Sequence, residues 1–383
     1  MKKRINIFID ADVLVHPHFS GIGHYTASLL RAVDNLLKLN EYSHLNFTLG
    51  VPFREAHKLN RFEFHNFSVR KMLITHRIAN GLKQKGLLPP IDLFYGKQVY
   101  IFPNYSSWPT LFSKSLPVIY DISFVKYPQF GDKRNMEFLV EQVRKSATRA
   151  SRIITISNNS KSEINEEYNV KNNKIDIIYP VIEMRDFYKR SAQEIAEVKA
   201  QYGIFDSYIL FVGNLEPRKN LTTLLDAYEL LPHKLQKKYA LLLVGAKGWN
   251  NDEIHNKIRD MRMRGLKIIQ PVDYVVDKDI PALISGASAF SWLPVYEGFG
   301  IPPVEALACG TPVVCSDNSS LTEAGGDAVT YVNAYDAKEA AVAIEKTLDG
   351  IFPDIDRGYR QAKKFNATVA AKAFIESIEK AAL

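Results

Sequence analysis

The chain has 383 residues, of which 46% are hydrophobic and 24% are charged, and its formal net charge is +7. This composition is typical of a globular protein and excludes a disordered chain. The length exceeds that of one ordinary hydrophobic core, so we expect two domains. The basic excess favours anionic ligands such as phosphates, or an anionic membrane surface, over nucleic acid, because no nucleic-acid-binding motif accompanies it.

The sequence carries no pattern typical of secretion or of a membrane span. Residues 1–10 are basic and then apolar, but the apolar run is too short for a signal sequence and predicts a first β-strand. No run reaches the roughly 18 apolar residues that a span requires. Cys309 and Cys315 lie in an apolar segment and are expected to pack, not to form a disulfide. We therefore expect a cytoplasmic protein, with contact to the inner face of the cytoplasmic membrane as an additional hypothesis.

Short apolar runs alternate with longer amphipathic segments, which is typical of βα units and a parallel sheet. In the first half of the chain, Gly21 and Gly23 are expected in the loop after the first strand. Strands are predicted at 5–9, 47–51, 99–102, 117–120, 153–156 and 175–178, and helices at 25–39, 137–150 and 160–168.

A polar segment at 183–201 carries no strand pattern, and the alternation then starts again. Strands are predicted at 208–213, 240–244, 266–269, 289–293 and 312–315, and helices at 221–231, 252–264, 279–285, 304–308, 337–348 and 360–382. The pattern predicts an α/β protein with two doubly wound Rossmann-like domains, at 1–185 and 203–360. Residues 361–383 form a further helix, and its return to the N-terminal domain is left open.

A first motif begins at Gly213, where a predicted strand ends in glycine. The following loop carries Arg218 and Lys219, and a helix follows with Asn220 as its expected N-cap. A helix N-terminus supplies oriented amides, and the two cations supply the positive charge that a diphosphate needs. The position at the carboxyl edge of a parallel sheet favours phosphate binding, with a solvated basic loop as the alternative.

A second motif occupies residues 294–305, between a strand and a helix expected to begin near Pro302 or Pro303. Glu297 lies in the loop and Glu305 is expected in the first turn of the helix, while glycines between them let the backbone approach a ligand. A carboxylate accepts two hydrogen bonds at once, so this pair suits recognition of vicinal hydroxyls. The alternative is a helix N-terminus stabilised by Glu305, with Glu297 merely exposed.

Glu297 and Glu305, separated by seven residues, resemble the E-x7-E signature of retaining glycosyltransferases of the GT-B fold, in the group often called family 4. The resemblance continues at Glu216-Pro-Arg-Lys-Asn220 and at 246–248, 305–314 and 323–328. It is looser in the first half, at 20–25, 102–104, 120–124 and 154–161, and so spans nearly the whole chain. The sequence looks most like bacterial mannosyltransferases that build O-antigen and other surface polysaccharides.

The resemblance implies a role for each charged residue of the two motifs. Arg218 and Lys219 would neutralise the donor diphosphate and stabilise the departing nucleotide. Glu305 would bind the ribose hydroxyls, and Glu297 would lie beside the donor sugar. The remaining implied contacts to the donor come from loop glycines, from amides at the start of the helix and from the base-binding segment at 270–277. They are Gly21, Gly23, Gly213, Phe299, Gly300, Ile301 and Val272.

As a whole, the resemblance implies two domains that face each other across a cleft and transfer a hexose with retention of configuration. The expected donor is GDP-mannose, the expected acceptor is a lipid-linked oligosaccharide or glycan, and neither a cofactor nor a metal ion is expected. Retention would follow from front-face attack assisted by the leaving phosphate. Three alternatives stay open: a UDP- or dTDP-sugar donor, a phosphorolytic or disaccharide-forming enzyme, and a catalytically silent sugar-nucleotide-binding subunit.

The sequence departs from the family pattern at Tyr120, where many relatives have histidine. Tyrosine can form hydrogen bonds, but unlike histidine it does not take up and release a proton near neutral pH, which puts a catalytic role for Tyr120 in doubt. Asp121 is a candidate for acceptor positioning or base catalysis, with a structural role as the alternative. Asp10-Ala-Asp12 spells a metal–nucleotide motif of a different fold, so no metal is expected there.

Residues 69–88 are basic and partly amphipathic. A lipid-linked acceptor is anionic and interfacial, so this segment is predicted to face the membrane. The alternative is an ordinary solvated helix.

Overall fold

The computed structural model describes residues 3–16, 21–74, 76–131, 133–246, 248 and 251–383. The chain divides into two compact units. The first unit comprises Met1–Val181 together with Ala367–Leu383, and the second comprises Ile182–Asn366.

Each unit contains a parallel sheet. The first unit has a five-stranded sheet in the order β3-β2-β1-β4-β5 and a separate β6-β7 pair, and the second has a six-stranded sheet in the order β10-β9-β8-β11-β12-β13. The strands are β1 (Ile5–Asp10), β2 (Leu45–Pro52), β3 (Phe67–Met72), β4 (Val99–Phe102), β5 (Lys114–Pro117), β6 (Ile153–Thr155), β7 (Ile175–Ile177), β8 (Ser207–Val212), β9 (Tyr239–Val244), β10 (Ile268–Ile269), β11 (Ala289–Trp292), β12 (Val313–Ser316) and β13 (Thr330–Val332).

Helices connect these strands in both units. They are α1 (Asp12–Val15), α2 (Gly21–Leu36), α3 (His76–Gln84), α4 (Asp92–Tyr95), α5 (Ser123–Lys126), α6 (Lys133–Arg149), α7 (Asn158–Tyr168), α8 (Ala192–Gln201), α9 (Leu221–Leu230), α10 (His233–Lys238), α11 (Asp252–Met263), α12 (Ile280–Gly286), α13 (Ile301–Ala308), α14 (Leu321–Gly325), α15 (Ala337–Leu348), α16 (Ile355–Lys363) and α17 (Ala367–Ala382). None of the helices in the described part of the chain is long and apolar enough to cross a membrane.

Burial explains why the central strands read as continuous apolar runs. All six residues of β9 are buried, as are four of the six in β8. Strands covered by helices on both faces bury both sets of side chains, so they lose the alternation that a half-exposed strand shows. The α/β prediction with two doubly wound Rossmann-like units is confirmed.

Two elements of the first unit differ from the prediction. The strand predicted at 117–120 ends at Pro117, and beyond it only Val118 makes an isolated parallel bridge, to Ile154. The segment at 69–88 is not one helix, because it contains most of β3 and then all of α3. Only Met72 is buried in β3, an edge strand, so its sequence lacks the apolar run that identified the other strands.

The polar segment at 183–201, which lies between the two predicted domains, contains α8, and this helix begins with a complete capping box. The Ser191 side chain accepts a hydrogen bond from the Glu194 amide, and the Glu194 carboxylate accepts one from the Ser191 amide. This reciprocal pairing satisfies two amides that the first helical turn leaves free. The segment therefore forms a helix despite its polarity.

The predicted helix at 360–382 is interrupted between α16 and α17, where Asn366 donates from its side chain to the Lys363 carbonyl at 3.2 Å. Such a local hydrogen bond competes with continuation of the helix. After the break, α17 packs against α2 in the first unit. Two polar contacts hold it there, since Ser377 donates to Asp176 at 2.7 Å and His44 lies 2.8 Å from Glu379.

Candidate active site

The candidate site lies where the strand order of the second unit reverses. From β8 the chain proceeds to β9 and β10 on one side, and then returns to place β11 on the other side of β8. At such a switch point the loops leaving the two central strands diverge and open a crevice at the carboxyl edge. The loops after β8 and β11 carry the two sequence motifs.

The loop after β8 forms a 3-10 turn at Pro217–Lys219, and Asn220 follows with a left-handed backbone (φ 55°). Asn220 occupies the N-cap position of α9, as predicted, but its side chain accepts no hydrogen bond from the backbone of the helix. Its amide instead donates to the carbonyls of Leu293 (2.9 Å) and Ala334 (2.6 Å). Asn220 therefore fastens this loop to the end of β11.

Glu297, in the loop after β11, is buried, so the alternative of a merely exposed side chain is wrong. Its backbone is held on both sides by serines from the loop after β12. The Glu297 amide donates to the Ser319 hydroxyl at 3.0 Å, and the Ser320 hydroxyl donates to the Glu297 carbonyl at 2.8 Å. No local pattern marked these serines, because they are more than twenty residues away in the chain and hydroxyls are common in loops.

The two motifs meet in a buried cluster of charges. Arg218 donates to Glu297 at 3.1 Å and to Glu216 at 3.1 Å, and it also donates to the Tyr296 carbonyl at 2.8 Å. Lys219 forms an ion pair with the other oxygen of the Glu297 carboxylate. Two cations are thus balanced by two carboxylates, and the prediction missed Glu216 as a member of the cluster.

The pKa values of the central pair shift in directions that follow from burial and mutual attraction. Burial lowers the pKa of the Lys219 ammonium, and the Glu297 carboxylate opposes that shift. Burial would raise the pKa of Glu297, but the charges of Arg218 and Lys219 outweigh it and lower the pKa. The Lys219 ammonium also lies 4.6 Å from the centre of the Trp292 ring, a cation–π contact that sequence reasoning missed.

Two glycines have conformations or surroundings that a side chain would disturb. Gly300 has φ 98°, and a Cβ there would lie 2.5 Å from the Leu321 side chain. A Cβ on Gly213 would lie 2.9 Å from the Trp292 ring. Close packing therefore explains both positions without a ligand, and their predicted donor contacts remain predictions.

The start of α13 differs from the prediction, because the helix begins at Ile301, earlier than either proline. Pro302 and Pro303 carry no amide hydrogen, and the Val304 amide donates within the first helical turn, so the Ile301 amide is the donor that these four residues leave for a ligand. The Phe299 side chain is buried and packs edge-on against Phe365, at 4.9 Å between ring centres. Only the backbone of Phe299 is therefore suited to a ligand.

Glu305 falls in the second turn of α13, since the first turn contains no acidic residue, and the prediction of a first-turn position is wrong. Its carboxyl group is partly exposed and has no hydrogen-bond partner among the described residues. Burial raises the pKa of this carboxyl to about 8, and the negative charge of Asp277 contributes. The two glutamates of the signature thus occupy opposite electrostatic environments.

The segment predicted to contact the base follows β10 and ends in a 3-10 turn at Asp277–Asp279. Val272 is fully exposed, and Tyr274 is largely exposed. The Asp277 end of the segment lies near Glu305, as the electrostatic coupling of the two carboxyls shows. A surface is therefore open there for a nucleobase beside the ribose-binding candidate.

The remaining predicted residues lie in the first unit. Gly21 and Gly23 belong to the first turn of α2, so their prediction as loop residues is wrong. The buried face of α2 stabilises the helix enough to include both glycines, at about 1 kcal/mol each relative to alanine. Ser20 and His18 lie outside the described residues.

Tyr120 and Asp121 have structural contacts in the first unit. The Tyr120 hydroxyl is buried and donates to the Pro103 carbonyl at 2.8 Å, and burial raises its pKa far above the usual value. Asp121 accepts hydrogen bonds from the Ser123 amide (2.9 Å) and hydroxyl (2.7 Å) at the start of α5. The structural role held open for Asp121 is therefore present, and its role toward an acceptor remains a prediction.

Among the described residues, no group of three or more His, Cys, Asp or Glu side chains could hold a metal ion. Cys309 and Cys315 are buried free thiols, in agreement with the packing role predicted for them. Within the second unit, the cluster has the parts that recognition of a nucleoside diphosphate requires: cations, a free amide and a carboxyl group that lacks a partner.

Comparison with known proteins identifies the class. The family described as "Glycosyl transferases group 1" matches residues 195–363. O-antigen chain mannosyltransferase B of Escherichia coli is 30% identical over 360 residues, which cover 91% of this chain and 92% of that protein. The chain therefore belongs to the group 1 glycosyltransferases, and the predicted family is confirmed.

Two further comparisons support narrower conclusions: one sequence match covers only part of each chain, and one structural match concerns the fold alone. The serotype-specific mannosyltransferase WbdA of Escherichia coli is 30% identical over 246 residues, which are 63% of this chain but only 29% of that larger protein. Sucrose-phosphate synthase from Thermosynechococcus elongatus has a TM-score of 0.71 and 16% identity, and the match covers 98% of each chain. Its likeness, together with the sheet topology, shows the GT-B fold.

The raised pKa of Glu305 predicts a pH-dependent difference in stability between the wild type and Glu305→Gln. In the unfolded chain this carboxyl ionises near pH 4.5, whereas in the folded protein it stays protonated to about pH 8. The unfolded state therefore binds fewer protons in that window, and the wild type should lose unfolding free energy relative to the variant as pH rises through it. Denaturant unfolding of both proteins at about pH 5, 6, 7 and 8 measures this difference. If the unfolding free energy of the wild type minus that of the variant stayed constant or rose with pH, the assignment would be contradicted.

Proposed function

We propose that this chain is a retaining mannosyltransferase that moves mannose from GDP-mannose onto a lipid-linked oligosaccharide or glycan. For a nucleotide-sugar donor, the supporting observation is the meeting of Arg218, Lys219 and Glu297 at the switch point, in the motif that also carries Glu305. For mannose, the support is the relative named O-antigen chain mannosyltransferase B, which matches over nine tenths of both chains.

The chemistry that these residues supply is electrostatic. In transfer from a nucleotide sugar, the anomeric carbon–oxygen bond breaks and negative charge accumulates on the departing diphosphate. Arg218 and Lys219 are fixed, largely buried cations, so they stabilise that charge with little reorganisation. The amide of Ile301 adds partial positive charge at the start of α13. In this proposal the two side chains take the role that a divalent ion has in other transferases.

Glu297 pairs with both cations, so a diphosphate must either share them with this carboxylate or displace it. Displacement of Glu297 from Arg218 and Lys219 places its carboxylate toward the sugar, where it accepts hydrogen bonds from hydroxyl groups. We favour front-face attack assisted by the leaving phosphate over a covalent intermediate on Glu297. Glu305 accepts the ribose hydroxyls, and the segment with Val272 and Tyr274 binds the base.

The donor assignment is tested by thermal shift with GDP, UDP, ADP and dTDP, since a bound nucleotide stabilises the folded protein by mass action. We expect the largest increase in melting temperature with GDP. If UDP or dTDP gave an equal or larger increase, the mannose donor would be the wrong assignment. Turnover of GDP-mannose with a lipid-linked oligosaccharide, compared with phosphate and free-sugar acceptors, separates the transferase from the phosphorolytic and silent alternatives.

The same substitution at the two signature glutamates should produce opposite effects. Glu297→Gln removes the carboxylate that competes for Arg218 and Lys219, so GDP should bind at least as tightly as to the wild type. Its kcat should fall by about 100-fold or more, because a charge beside the reacting sugar is lost. Glu305→Gln should weaken GDP binding by up to about tenfold, the effect of altering one hydrogen bond to the ribose, and largely retain kcat at saturating donor.

Calorimetric GDP titration and initial rates at saturating donor measure the two effects, with each variant as the control for the other. Glutamine keeps the shape of the side chain and avoids a cavity beside the buried cations. Loss of GDP binding in Glu297→Gln with turnover retained would contradict the division of roles.

We also propose that the segment at 69–88 contacts the membrane that carries the acceptor. Leu73, Ile78 and Leu87 are exposed in this segment, with side chains 85%, 52% and 66% accessible. Arg70 and Lys71 are exposed on β3 of the same segment. Exposed apolar groups beside cations suit an anionic bilayer, although cations on an edge strand also prevent pairing with other sheets.

Charge reversal tests this contact. Arg70→Glu, Lys71→Glu and Arg77→Glu in one variant should reduce co-sedimentation with phosphatidylglycerol vesicles several-fold, since each basic residue near the surface contributes about 1 kcal/mol. The control makes the same charge change on the second unit, at the exposed lysines Lys234, Lys237 and Lys346. Equal binding by the two variants would show that the segment does not face the membrane.

A further inference from the structure

A second basic site lies in the first unit, at the opposite edge of the strands from Tyr120 and Asp121. It is a cavity of about 620 Å³ in a part of the unit where three strands begin. Lys114 is the first residue of β5, Arg152 directly precedes β6, and Lys174 directly precedes β7. Parallel strands have all their amino ends at one edge, so these residues are separated from the carboxyl edge by the length of a strand, roughly 3.3 Å per residue.

Six cationic side chains line this cavity: Lys114, Arg149, Arg152, Lys171, Lys174 and Lys380. Three of them have structural explanations. Arg152 forms a bidentate ion pair with Asp176, and the Lys380 ammonium lies 2.7 Å from the Glu376 carboxylate. Arg149 is the last residue of α6, where a cation stabilises the negative end of the helix dipole.

The other three lysines have no such explanation. Among the described residues, no carboxylate lies within ion-pair distance of Lys114, Lys171 or Lys174. All three are exposed at the cavity, and two separate chain segments bring them together. Like charges that share a concave surface repel each other, and a bound anion would offset this repulsion.

We propose that this cavity binds a ligand that carries two or more phosphate groups. Lysine is a point-charge partner for phosphate, and several lysines around a cavity match several phosphate charges. The volume lies within the range of small-molecule sites, about 300–1,000 Å³. The Arg152 side chain in the cavity wall is held in place by Asp176, and the Asp176 carboxylate also accepts a hydrogen bond from Ser377 of α17 at 2.7 Å. This site is independent of the proposed donor site in the second unit.

Residue-resolved acetylation of lysines tests the proposal, with inorganic tripolyphosphate and phosphatidylglycerol vesicles as separate probes. We expect the acetylation rates of Lys114, Lys171, Lys174 and Lys380 to fall at least about threefold, as for lysines whose ammonium groups are held by phosphate. The control lysines Lys234, Lys237 and Lys346 should be unaffected. Protection by tripolyphosphate identifies a soluble phosphate ligand, and protection by vesicles alone identifies lipid headgroups. No protection by either probe would overturn the proposal.

A triple variant separates this site from the catalytic one. Lys114→Ala, Lys171→Ala and Lys174→Ala together should abolish the protection that the probe gives to Lys380 at the same cavity, and leave the thermal shift by GDP unchanged. The variant with Lys234→Ala, Lys237→Ala and Lys346→Ala has the same loss of charge and should keep that protection. Undiminished protection of Lys380 in the first variant would contradict the site. Failure of the mannosyltransferase assignment would leave these protection results as they are.

Discussion

The contact of the Glu297 carboxylate with Arg218 and Lys219 joins the two loops that leave the centre of the second unit's sheet. Each of these groups is largely buried, and none could stay charged there without the others, because an unpaired buried charge costs several kcal/mol. The remaining loop contacts support this arrangement. Asn220 ties the first loop to the end of β11, and the Ser319 and Ser320 hydroxyls hold the backbone of Glu297.

This cluster reconciles stability with the function proposed for it. Two buried cations without a counter-charge would destabilise the folded protein. Glu297 and Glu216 provide that counter-charge. Glu305 has the opposite environment, since burial and Asp277 favour its neutral form. Two carboxyl groups in one short motif are thus given different charge states by their surroundings.

The sequence predicted the centre of this site because its chemistry follows strand order. Arg218 and Glu297 each lie in the loop that follows an apolar strand, and the carboxyl ends of parallel strands share one edge, so the two loops were expected to lie close together. Ser319 and Glu216 were missed, since a hydroxyl from a distant loop and a carboxylate inside a basic loop carry no periodic signal. The start of α2 was predicted at residue 25, whereas the helix begins at Gly21, because tertiary burial of the helix outweighed the low helix propensity of glycine.

The positions of the charges also change how the net charge of the chain is understood. The basic excess of the sequence predicts anionic ligands, and a nucleotide-sugar site would account for it most simply. At that site, however, Arg218 and Lys219 are matched by carboxylates, so the site contributes little to the excess. Cations without such partners occur in the first unit, at Lys114 and its neighbours on the amino edge of the strands. The proposed donor site and the surplus charge are therefore separate features, and an explanation of one does not account for the other.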